Sequence, residues 1–168
     1  MGDILGIYDA LHDVFDVAKE ALASTVGGLP ECAYVAPGTP AWDACPCLVV
    51  YSGGPAVGDT FPLQPALASL HRVGTTGMVN LVTLNVLSLR CAPLIDDDGI
   101  LPTPAEQDAA AKEVYSDVWA LWNWFAAKKR DLTLFPPKER EFSIEPGILV
   151  NPQGGAAGSI VTIRVQLD

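Results

Sequence analysis

Four cysteines are the residues best suited to chemistry here: Cys32, Cys45, Cys47 and Cys91. Thiolates bind zinc, exchange disulfides or act as nucleophiles, and spacing separates these roles. Structural zinc sites usually present two short knuckles with two to four residues between ligands. This chain has one Cys-Pro-Cys, at 45–47, and two isolated thiols, which favours buried or unpaired thiols over a metal site. A redox centre is also poorly matched. The motif is CxC and not CxxC, and no helix N-terminus follows to lower a thiol pKa.

The other chemical candidates are weaker. Asp96-Asp97-Asp98-Gly99 has the acidic look of a calcium loop. Aligned on its glycine, an EF-hand would need an acid at Leu94 and a closing glutamate at Ala105, and neither is present. An exposed turn is the simpler expectation. Gly154-Gly155 with Gly158 lacks the Lys-Ser/Thr of a phosphate loop and precedes a strand-like segment instead of a helix. His12 lies among acids on a helical face, and His71 lies in a breaker-rich stretch. Neither sits in a Ser/His/Asp or Cys/His setting, and no GxSxG occurs.

The elements around these residues are more legible. Met78–Leu89 is apolar on both faces for much of its length. Val82, Leu84 and Val86 alternate with Val79, Leu81, Leu87 and Leu89, as expected of an interior strand. It feeds the longest helix, which opens at Thr103-Pro104-Ala105-Glu106. This is a capping box with proline at the first helical position. Ala110, Val114, Val118, Leu121 and Phe125 recur at helical spacing, and Tyr115, Trp119, Trp122 and Ala126 widen the stripe. Lys128-Lys129-Arg130 suits the negative pole of the helix, and Pro136-Pro137 prevents continuation.

Elsewhere, residues 3–26 read as an amphipathic helix with Ile4, Ile7, Leu11, Phe15, Ala18, Leu22 and Val26 on one face, ended by Gly27-Gly28. Residues 29–46 are irregular, with a short extended piece at Tyr34–Ala36. Leu48–Tyr51 is a strand. Residues 52–77 hold many breakers and are expected to form a projecting loop or arm. Its Phe61, Leu63, Leu67 and Leu70 need burial, for which a neighbouring subunit is one source. Glu141–Val150 is a strand or two, Asn151–Gly158 a turn region, and Ser159–Leu167 alternates as a half-buried strand. Together these predict one α+β domain over 1–168. Its mainly antiparallel sheet has about four strands, with the N-terminal helix and the long central helix packed on one face.

The chain has 168 residues, 49% of them apolar and only 18% charged, with a net charge of −10. So acidic a chain is poorly suited to sequence-specific nucleic-acid binding. An acidic wall would let DNA pass without sticking. Apolar surface beyond what a core needs favours an oligomer. No signal peptide or membrane-length apolar run is visible, so the cysteines are expected as reduced thiols in a cytoplasm.

Several segments, taken in order, resemble the tail terminator (tail completion) proteins of siphophages, especially those of high-GC Gram-positive hosts. A leading helix comes first. Ala33-Tyr34-Val35-Ala36-Pro37-Gly38 follows, and then Ala41-Trp42-Asp43-Ala44-Cys45. Leu89-Arg90-Cys91-Ala92-Pro93 precedes the acidic turn and the Pro-Ala-led helix. Asn151-Pro152-Gln153-Gly154-Gly155-Ala156-Ala157-Gly158-Ser159 leads into the last strand. Ala156 departs from the pattern, since relatives are expected to carry cysteine there.

The resemblance implies a small α+β protein that assembles as a hexameric ring on the head-proximal end of the tail tube. It implies as partners further copies of the chain, the major tail tube protein and the head-tail connector or stopper. DNA would pass through the lumen without specific binding. It implies no catalysis, no cofactor and no metal. Interface candidates are Phe61, Leu63, Leu67, Leu70, Trp42, Arg90, Asp96, Asp97 and Asp98. A stopper or adaptor on the portal side is the nearest alternative. A small cytoplasmic thiol protein or enzyme is a more distant one.

Overall fold

The computed structural model describes residues 4–40, 45–58, 79–95, 98–131, 133–135, 141–153 and 155–167. The elements in chain order are helix α1 (Ile4–Ala23), strands β1 (Cys32–Ala36), β2 (Cys47–Gly58) and β3 (Val79–Cys91), helix α2 (Pro104–Arg130), and strands β4 (Phe142–Ile144), β5 (Ile148–Gln153) and β6 (Ala156–Leu167). The fold is α+β, as the element pattern predicts.

The sheet is larger than expected, and it is mixed. Its order is β1-β2-β3-β6-β4, with β5 also paired to β6. β1 runs parallel to β2, and the other pairings are antiparallel. The two additions have different causes. β1 is only five residues long, too short to show alternation inside an irregular stretch. β4 and β5 occupy successive positions along the same edge of β6, against Ile163–Val165 and Ala156–Ile160.

β3 lies between β2 and β6, so both of its edges are paired. Val82, Leu84 and Val86 face the helices, and Leu81, Leu87 and Leu89 are buried on the other side. β6 alternates as its sequence requires. Val161, Ile163 and Val165 are buried, while Thr162, Arg164 and Gln166 are half-buried on the opposite face. Both helices contribute to a single core on one side of the sheet. Ala10, Val14, Ala18, Leu22, Leu121 and Phe125 meet Leu48, Val50, Val82, Leu84, Val86, Val161, Ile163 and Val165 there. Each large aliphatic side chain buried this way contributes on the order of 2 kcal/mol. Among the described residues, the cluster on the opposite side, around Val49, Tyr51, Leu87 and Leu89, contains no helix residue.

Four local expectations need correction. α1 stops at Ala23 and not at Val26. The Ser24 and Thr25 hydroxyls donate to the carbonyls of Ala21 (2.7 Å) and Leu22 (2.8 Å). Side chains of this type compete with the helix for its last acceptors. Residues 52–58 belong to β2 and not to the arm. They pair with Val79–Leu84 through a bulge at Ser52/Gly54, where Gly54 has φ +96° and donates to the Ser52 Oγ at 3.0 Å. A bulge lets a strand carry such breakers without losing its partner. Much of the turn expected over Asn151–Gly158 is strand, since β5 runs to Gln153 and β6 begins at Ala156, just after Gly155 at φ +82°. Finally, Tyr115 and Trp119 do not face the core. They are 60% and 68% exposed, and the buried positions of α2 are Val114, Asp117, Leu121 and Phe125.

Candidate assembly surfaces

The charged centre of the molecule is internal. Arg90 sits near the end of β3 on the helix side of the sheet, and Asp117 sits on the buried face of α2. Their side chains are 4% and 1% exposed. The Arg90 Nε and Nη2 donate to the two Asp117 carboxylate oxygens at 2.7 and 2.8 Å, and the Ser88 hydroxyl donates to Oδ2 at 2.6 Å. Arg90 also donates to the carbonyls of Gly27 (3.1 Å) and Gly28 (2.6 Å). The guanidinium thereby joins β3, α2 and the turn after α1. A planar fork suits this work, since it satisfies a carboxylate with two parallel bonds and keeps further donors for carbonyls.

Arg90 is therefore not a surface residue available to a partner. Its role is to hold the helices on the sheet. Asp117 escaped notice in the sequence, although a signal existed. It falls between Val114 and Leu121 on the apolar stripe, where an acid must meet a cation.

The cysteines also depart from expectation. All four are paired, Cys32 with Cys47 and Cys45 with Cys91, at Cα separations of 4.6 and 5.0 Å. The pairing follows from strand register. Cys32 lies directly opposite Cys47 in the parallel β1–β2 ladder. In the antiparallel β2–β3 ladder Cys47 faces Leu89, so two further residues along each chain bring Cys45 to Cys91. One corner of the sheet is thus fastened across three strands. Ala156 lies opposite Cys91 on the other side of β3.

The sheet face away from the helices is divided along its length. Its lower half, toward Cys47 and Ala156, is apolar. Its upper half carries a polar band of Thr83, Asn85, Thr162 and Arg164, all half-buried. The Thr162 hydroxyl donates to the Asn85 Oδ1 at 2.9 Å, and Arg164 pairs with Glu145.

A second surface lies on the helix side. The first ten residues of α2, 104–113, contribute no buried side chain. Between this overhang, the chain leaving β3 and the edge of β5 is a cavity of about 470 Å³. Leu94, Ala110, Val114, Tyr115, Leu149 and Gly158 form its walls, and among the described residues no carboxylate or cationic side chain lines it. Leu94 (65% exposed) and Leu149 (43%) add apolar surface at its rim.

The remaining interface candidates divide simply. Asp98 is exposed beside Gly99, whose φ of +79° makes the turn. Trp42, Phe61, Leu63, Leu67, Leu70, Asp96 and Asp97 lie outside the described residues, as does His71. His12 packs its ring on Tyr8, with centroids 4.5 Å apart, in the middle of α1. Among the described residues no helix is long and apolar enough to cross a membrane, and no three His, Cys, Asp or Glu side chains converge as a metal site. The sequence matches no protein-family model and no curated relative.

Proposed function

We propose that this protein is a tail terminator. It forms a ring on the head-proximal end of a siphophage tail tube, stops tube polymerisation and presents a surface to the head's connector. The ordered segment resemblance suggests the reading. The structural observation that supports it best is the distribution of surface. Large apolar side chains stand exposed on and beside α2, among them Tyr115, Trp119, Leu94 and Leu149. Such surfaces are those of a subunit that finishes its burial against neighbours. The acidic net charge of −10 suits a channel wall that DNA crosses without adhering. The role is structural, with no cofactor.

The test combines the mass of the purified protein in solution with negative-stain images of it mixed with tail tubes. Rings, or caps at one tube end that halt growth, are expected. A protein that ignores tubes and binds portal complexes would favour a stopper or adaptor. Indifference to both would reopen the thiol-protein reading, for which the disulfide corner is the place to start.

A further inference from the structure

We propose that the groove between α2 and β5 receives Phe61 and Leu63 of a second copy of this chain in a head-to-tail contact. This deepens the ring reading and rests on it for closure of the contact into a ring.

Three observations carry the inference. The first is chemical fit. Among the described residues, those lining the groove are mostly apolar and none is ionic. Residues 59–78 hold one acid, Asp59, and one fixed cation, Arg72, in a chain whose net charge is −10. This neutral segment, with Phe61-Pro62-Leu63 near its start, can approach a second acidic copy with little repulsion.

The second is reach. Residues 59–78 leave the sheet at Gly58 and return at Val79, which are register partners. The groove lies at the other end, beside Gly158, which faces Leu89. Ten residues of β3 separate Val79 from Leu89, roughly 33 Å of strand. Phe61 and Leu63 follow Gly58 by three and five residues and can travel at most about 18 Å from it. They cannot enter the groove of their own chain.

The third is symmetry. The anchors of the segment, Gly58 and Val79, and the groove lie at opposite ends of the sheet, so the contact joins unlike surfaces. Repeated in one direction, such a contact gives a closed ring or an open filament; made reciprocally, each donor in the other's groove, it closes as a two-fold dimer.

The test uses the full-length protein and light scattering. Leu149→Asp spoils the groove, and Phe61→Asp spoils the donor. Each variant alone is expected to be monomeric. Their equimolar mixture is expected to stop at dimers, since one intact donor meets one intact groove and nothing further can add. A wild-type assembly that survives either substitution would overturn the inference and leave the ring reading standing. A wild-type monomer at every concentration would also overturn it, and failure of that monomer to cap tubes would remove the ring reading as well.

A photo-crosslinker at position 63 of the otherwise unaltered chain gives a readout that does not depend on variant folding. In mixed isotope-labelled copies, crosslinks from one copy to residues 107–115 or 149–150 of another are expected. Crosslinks confined to one copy, or to other surfaces, would refute the contact.

Discussion

Asp117 is fully sequestered beneath α2, and both of its carboxylate oxygens accept from Arg90, 27 residues earlier in the chain. The pair is the only link among the described residues in which one side chain ties β3, α2 and the turn after α1 together. Removing one partner leaves an uncompensated buried charge, a loss of about 3–5 kcal/mol. Asp117→Asn and Arg90→Met are each expected to lower the urea midpoint accordingly. The double variant Arg90→Met/Asp117→Leu should lose much less than the sum, because no charge is then stranded. Single variants within about 1 kcal/mol of wild type would contradict this account.

The two disulfides should differ in worth. They close segments with sequence separations of 15 and 46. On the chain-entropy argument the shorter restricts the unfolded chain by about 3 kcal/mol and the longer by about 4 kcal/mol. Cys45→Ala/Cys91→Ala is therefore expected to destabilise more than Cys32→Ala/Cys47→Ala, apart from the packing that buried Cys47 loses. Alkylation under denaturing conditions followed by mass measurement checks the bonds directly. Four alkylated thiols in the unreduced protein would show that the bonds are absent.

The α2 cap gives a pH dependence with a defined sign. The Thr103 N–H donates to the Glu106 carboxylate at 2.8 Å and holds its pKa below the ordinary glutamate value, with the Thr103 hydroxyl adding to the effect. A folded pKa below the unfolded one stabilises the protein above the unfolded value. That contribution is lost as pH falls through the folded value. Glu106→Gln should therefore melt below wild type at neutral pH, and the gap should close below about pH 4. A gap that stays constant into acid would mean that the carboxylate charge plays no part.

Gly158 marks a close approach between β3 and β6. A Cβ placed there would collide with the Ser88 carbonyl and press on the Leu89 side chain. The obstacle is backbone in a paired ladder and cannot swing aside. Gly158→Val should force the strands apart and cost at least the 1–3 kcal/mol typical of overpacking, about as much as a lost core methyl or more. Gly38, where an added Cβ meets nothing within 4 Å, is the control. Gly38→Ala should leave the melting temperature nearly unchanged, and equal effects at the two sites would sink the argument.

What the sequence determined by itself was local or periodic. The α2 start was legible because Thr103, Pro104 and Glu106 act on backbone groups within one turn, and both halves of the capping box are present. The alternation of β3 and β6 was legible because a strand repeats every two residues and β3 carries aliphatic side chains on both faces. The α+β class followed from those elements.

The tertiary structure decided what depends on register and on the choice between two possible faces. Cysteine pairing needed the β1–β2 and β2–β3 registers, which are set by the packing of whole strands and leave no mark at Cys32 or Cys91. The stripe on α2 was wide enough to bury Tyr115 and Trp119. It turned instead to bring Asp117 to Arg90, because a guanidinium buried in the sheet-helix layer needs a compensating charge. That rotation leaves Tyr115 at the groove and Trp119 exposed one turn further along.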